Sequence, residues 1–144
     1  MERIVNNLNK IEMYLLLIWA AITLIQKEFS WEIDSVFIIC SILLSAIYTL
    51  QPNIAVEKLK DKPTLVRNYP MLLGVGSGVL IMGIMFKLMN YPGGTISTRI
   101  GMLAVLISCL GLFYNPIQDE FLPVMKKILL RLFVLIAIGL YVSL

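Results

Sequence analysis

Five runs of hydrocarbon side chains, separated only by short charged or Pro/Gly-marked stretches, constrain this chain more than any other feature. They cover roughly Met13–Gln26, Ser35–Leu50, Met71–Met89, Ile100–Tyr114 and Leu122–Leu144. Of the 144 residues 59% are apolar and the mean hydropathy is +0.88, against about 45–50% apolar for an ordinary soluble domain. A water-soluble fold of this length cannot cover so much hydrocarbon, so a bilayer must do it. The sequence therefore predicts an all-α, polytopic transmembrane helix bundle of five spans, forming one integral membrane domain over residues 1–144. Four spans plus a C-terminal interfacial helix is the alternative, because a helix over Ile128–Leu144 is only about 25 Å long.

Several runs fall short of the usual 20 or so residues. Lys10, Lys27, Lys87, Arg99 and Arg131 flank them and can snorkel, while Trp19, Trp31, Tyr69, Tyr91 and Tyr114 are available as interfacial anchors. Gln51-Pro52 is expected to end the second helix and Tyr69-Pro70 to open the third. Tyr91-Pro92-Gly93-Gly94 follows the third, and Asn115-Pro116 closes the fourth. Thr95 or Ser97 is the expected N-cap of the fourth helix and Asp119 that of the fifth. Asn53 to Lys62 reads as a short basic helix stopped by Pro63, either held at the surface by anionic lipid or serving as topogenic charge on a solvated loop.

Counting Lys and Arg by segment orients the chain. With the N-terminus inside, nine fall on the cytoplasmic side and three outside, which predicts a cytoplasmic N-terminus and an external C-terminus. The N-terminus has no short apolar stretch with a small-residue cleavage site, so the first run is expected to be retained as a span.

The chain has no histidine, and Cys40 and Cys109 both lie inside apolar runs. No metal site, disulfide framework, cofactor or catalytic group is expected, and with no acid expected inside any span the chain reads as no enzyme. Gly74-x-Gly76-x-Gly78 sits in an apolar helix rather than between a strand and a helix, which excludes a nucleotide fingerprint. Gly74 and Gly78 instead form a small-residue packing face, and Ala104 and Ser108 repeat the spacing on the fourth helix.

Lys87, about one turn inside the third span, either snorkels or pairs with Glu28, Glu32 or Asp34. Lys126, Lys127 and Arg131, with Lys127 and Arg131 on one face, either mark the cytoplasmic start of the last helix or line a cytoplasmic vestibule that attracts anions. Lys87, Arg99, Lys127 and Arg131 are the candidate functional charges.

A shift of 64 residues sets Ser45–Pro52 beside Cys109–Pro116, each ending an even-numbered span with a polar residue and proline. The first four helices thus read as two duplicated hairpins. The passage from Gly83 to Gly94, Gly-Ile-Met-Phe-Lys-Leu-Met-Asn-Tyr-Pro-Gly-Gly, resembles the Phe-Lys-x-x-His-Trp-Pro-Gly turn of the two-helix hairpin in the GldL-type motor family of gliding motility and type IX secretion in Bacteroidota. The resemblance covers Tyr69 to Asn115. It implies a helix-turn-helix in a bacterial inner membrane and, for Lys87, the place of the lysine that serves proton-driven rotation together with a glutamate on the next helix. Here the facing stretch Val105 to Cys109 is neutral, and Asn90 and Tyr91 stand in place of the His-Trp pair.

The expected function is a non-enzymatic subunit or scaffold of an inner-membrane assembly, with the lipid bilayer and itself or another membrane protein as partners and no nucleic acid. A homo-oligomeric channel, transporter or membrane-permeabilising effector is the alternative.

Overall fold

Every helix begins ahead of the apolar run at its heart. In a computed structural model of the protein the chain forms α1 (Glu2–Phe29), α2 (Asp34–Glu57), α3 (Thr64–Leu88), α4 (Gly94–Tyr114) and α5 (Gln118–Ser143). The structure describes the backbone of residues 2–29, 34–57, 64–114 and 118–144, and side chains over 10–28, 34–50, 68, 70–111 and 131–144. No strand occurs among the described residues.

Neighbouring helices alternate in direction. Along α1 and α2 the register is antiparallel: Tyr48 lies by Glu12, Ser41 against Trp19 and Asp34 against Gln26. Along α3 and α4 it is antiparallel again, with Ala104 opposite Gly76, Gly101 opposite Leu80 and Thr98 opposite Gly83. Gly78 turns toward Ser45 and Thr49 of α2, and Gly139 of α5 sits over Leu80 and Met102, across the α3–α4 seam. At one end Arg131 of α5 pairs with Glu12 of α1; at the other, Lys27 and Glu28 meet Tyr141. α5 therefore runs parallel to α1.

The two small-residue seams explain how closely α3 and α4 approach. A methyl on Gly83 would come within 2.5 Å of the Thr98 amide nitrogen, and one on Gly101 within 2.5 Å of the Leu80 amide nitrogen. Only glycine lets backbone meet backbone there.

The outer surface is apolar, unlike that of a soluble bundle. Glu12, Thr23, Ser41, Ser77, Thr98 and Ser108 are buried, whereas Leu17, Ile39, Val75, Ile100, Leu106 and Phe133 are exposed. The buried hydroxyls spare the core unpaired polar groups by donating to the carbonyl four residues back: Thr23 to Trp19, Ser41 to Phe37, Ser77 to Leu73, Thr98 to Gly94 and Ser108 to Ala104, at 2.7 to 2.8 Å. Two segments among the described residues, Pro70–Leu88 and Gly94–Gly111, are long and apolar enough to cross a membrane, while the apolar helical stretches Asp34–Leu50 and Arg131–Ser143 are shorter.

Several boundaries differ from the sequence expectation. α2 continues through Pro52 to Glu57, absorbing the start of the expected basic helix, and Pro70 lies inside α3 rather than at its start. Each proline removes one amide donor, and a carbonyl so freed near a helix end can take another partner without ending the helix. Thr95 and Ser97 fall within the first turn of α4, where the Ser97 amide already donates to the Gly93 carbonyl at 2.9 Å, so neither caps the helix. Asp119 likewise lies inside α5. Trp19 is fully buried instead of anchoring at an interface. Its indole donates to Ser41 Oγ at 2.8 Å and its ring stacks on Phe37, centroids 6.1 Å apart; the buried Ser41 acceptor gives the indole N–H a partner that an apolar core otherwise lacks. Trp31, Tyr69 and Tyr114 lie outside the described side chains.

Candidate functional site: a buried ion pair and a capped hairpin

A helical stripe on α1 explains how a carboxylate enters the core. Glu12, Leu16, Trp19 and Thr23 follow the i, i+4, i+7, i+11 spacing of one face, and all four are buried. α5 presents Arg131, Leu135, Ile138 and Val142 at the same spacing, with Arg131 first. The stripes converge at their N-terminal ends, where the Arg131 guanidinium donates to Glu12 Oε2. The carboxylate side chain is 1% exposed and the guanidinium 12%. Tyr48 of α2 completes the cluster: its hydroxyl is close enough to feel both charges, and Oη is buried without a hydrogen bond of acceptable geometry.

From the sequence no acid is expected inside any span; Glu12 lies just ahead of the first expected span and is nonetheless buried in the bundle. Glu12 precedes the first apolar run by one residue and reads as its polar edge, but α1 begins ten residues earlier and carries it inward. The helical stripe was the signal that could have found it.

At the opposite end the charged groups meet Tyr141 and Gln26. Lys27 donates to the Tyr141 carbonyl and lies 3.9 Å from the centroid of the Tyr141 ring. The Tyr141 hydroxyl donates to Glu28, and Gln26 donates to Asp34 at 2.9 Å. Glu28 and Asp34 thus have partners other than Lys87, and Glu32 lies outside the described residues.

The turn joining α3 and α4 is a Schellman cap. The Tyr91 amide donates to the Phe86 carbonyl at 2.8 Å and the Asn90 amide to the Lys87 carbonyl at 3.1 Å, with Asn90 in the left-handed region at φ 57°. Phe86 and Tyr91 meet edge to face, centroids 5.9 Å apart, supplying the apolar contact that accompanies this motif. A side chain on Gly94 would overlap the Lys87 backbone, so the returning helix starts hard against the one just ended.

The other sequence-predicted residues are spread through the bundle. Gly74 is buried in α3; Gly78 faces α2, where the Ser45 hydroxyl donates to its carbonyl at 3.3 Å; Ala104 faces Gly76 rather than Gly78; and Ser108 is buried and bonded within its own helix. Lys87 is half-buried and helps line an open hollow of about 390 Å³ at the hairpin turn with Asn90, Tyr91 and Thr95. Arg99 is exposed on α4. The side chain of Lys127 lies outside those described. Lys87 and Arg131 sit at opposite ends of the bundle, so the candidate charges form no single group. Among the described residues, no three His, Cys, Asp or Glu side chains gather as a metal site would require.

Comparison with family models, curated proteins and solved structures found no match to this chain.

Proposed function

We propose that this chain is a small, non-enzymatic integral membrane protein whose five helices all cross the bilayer, with a cytoplasmic N-terminus and an external C-terminus, and that it serves as a subunit or scaffold of an inner-membrane assembly. The observation that carries the membrane reading is the apolar outer surface: aliphatic side chains face outward on α1, α2, α3, α4 and α5 alike, while a few hydroxyls and an ion pair lie inside. Apolar surface of this extent is what lipid or a membrane partner covers. Helix length agrees, since even α4, with 21 residues, is about 31 Å long against a hydrocarbon core of about 30 Å.

The scaffold reading is supported by how the interior is filled. Trp19, Phe37, Leu44, Leu80, Ile84 and Leu135 occupy the core, and the hydroxyls among them are bonded to their own helices. Such an interior has side chains where a channel needs water. The α3–α4 glycine seams are consumed within the chain, so a partner would meet the outer aliphatic face. α4 offers one such face, exposing Ile96, Ile100, Leu103, Ile107 and Leu110.

Native mass spectrometry of the protein in nanodiscs, with co-purifying chains identified, tests this reading. A stoichiometric foreign partner supports a subunit role. A defined homo-oligomer that conducts ions in liposomes would replace it with the pore reading.

A further inference from the structure

The uncharged end of α5 is too short to cross a bilayer alone. The stretch 132–143 has twelve residues, about 18 Å of helix against about 30 Å of hydrocarbon. For α5 to span, the helix before Arg131 must enter as well, which takes the guanidinium below the membrane surface. Arginine cannot shed its charge there. The structure shows Arg131 nearly enclosed rather than reaching outward, with its guanidinium on the Glu12 carboxylate of α1.

We infer that Glu12 is the residue that permits α5 to cross the membrane: the first helix carries the counter-charge without which the last helix stays at the cytoplasmic surface. This inference rests on the five-span reading and adds its cause. Three observations converge on it. Glu12 is itself buried, and Arg131 supplies the cation that a buried carboxylate needs. α1 and α5 are parallel, as they must be if α1 is to guide α5 across. Their far ends are joined by Lys27 and Glu28 on Tyr141, so the two helices engage at both ends of the span. The C-terminal helix is then inserted on a template laid down by the first, and the topology of the chain depends on a contact between its two ends.

The test reads the side of the membrane on which the C-terminus emerges. In the full chain with Cys40→Ala and Cys109→Ala, a single reporter Leu144→Cys is labelled with a membrane-impermeant maleimide in right-side-out and in inverted vesicles. The parent should label from outside. Glu12→Gln should shift labelling to the inside face, by on the order of tenfold or more. Glu12→Gln combined with Arg131→Leu should restore external labelling, because position 131 then carries no charge to neutralise, and so should the exchange Glu12→Arg with Arg131→Glu. External labelling of Glu12→Gln at the parental level would overturn the inference while leaving five spans intact. So would a Glu12→Gln chain that fails to accumulate and is rescued by neither second variant. A parent that labels only from inside would overturn the five-span reading itself, and the inference with it.

Discussion

Glu12 and Arg131 are 119 positions apart in the chain, yet their side chains form one enclosed ion pair between the first and last helices. A buried pair of this kind is weak evidence of net stability, because desolvating two charges offsets much of their attraction. Removing one partner is different. Arg131→Gln takes the guanidinium from the buried Glu12 carboxylate and should cost about 3–5 kcal/mol, whereas Glu12→Leu with Arg131→Met should recover most of that loss. Unfolding in a mild detergent, followed by tryptophan fluorescence, gives both numbers; a single variant as stable as the parent would show that the pair is solvated.

The contact of Trp19 with Ser41 and Phe37 makes a graded series. Ser41→Ala leaves the indole N–H without its acceptor and should cost about 1–3 kcal/mol. Trp19→Ala, which also empties the core between α1 and α2, should cost about 3–5 kcal/mol. Equal losses would mean that packing contributes nothing beyond the hydrogen bond.

Much of this arrangement is legible in the residues and some is not. The apolar runs locate all five helices, and the Tyr91-Pro92-Gly93-Gly94 sequence announces the turn between α3 and α4, because left-handed backbone and a missing amide donor stop a helix wherever it lies. Proline alone misleads at Pro52 and Pro70, where the helix continues. Trp19 reads as an anchor because tryptophan favours interfaces; only the neighbouring helix, with Ser41 at bonding distance, makes it a core residue. Glu12 reads as the edge of a run because hydropathy averages along the chain, while burial follows the helical face. Which glycine meets which helix cannot be read from spacing: Gly76 and Gly78 are two residues apart and face α4 and α2 respectively.

Two adjacent glycines at the α3–α4 turn should respond differently to alanine. At Gly93 nothing lies near a new methyl, but φ is +87°, so Gly93→Ala should cost about 1–2 kcal/mol of backbone strain. At Gly94 a methyl overlaps the Lys87 backbone, and Gly94→Ala should separate the helices at the turn and cost more. Thermal midpoints in detergent rank the two; Gly94→Ala as mild as Gly93→Ala would refute the close approach.

Tyr141 joins Lys27 and Glu28 at the end of the bundle opposite Arg131, where charges are partly solvated. Tyr141→Phe keeps the ring beneath Lys27 and loses only the hydroxyl, so it should cost under about 1 kcal/mol. Tyr141→Leu should cost more, and the difference should shrink when Lys27 is replaced by Met, a double-mutant comparison that isolates the cation over the ring.

The central claim is that all five helices face lipid, and spin labels placed at Leu17, Ile39, Val75, Leu106 and Phe133, one outward position per helix, test it most directly. In nanodiscs the account predicts that every label relaxes strongly with dissolved oxygen, which concentrates in hydrocarbon, and weakly with a water-soluble nickel chelate. Strong nickel relaxation at Leu17, Ile39 or Phe133, with Val75 and Leu106 still in lipid, would reduce the protein to its two longest apolar segments and contradict the five-span bundle.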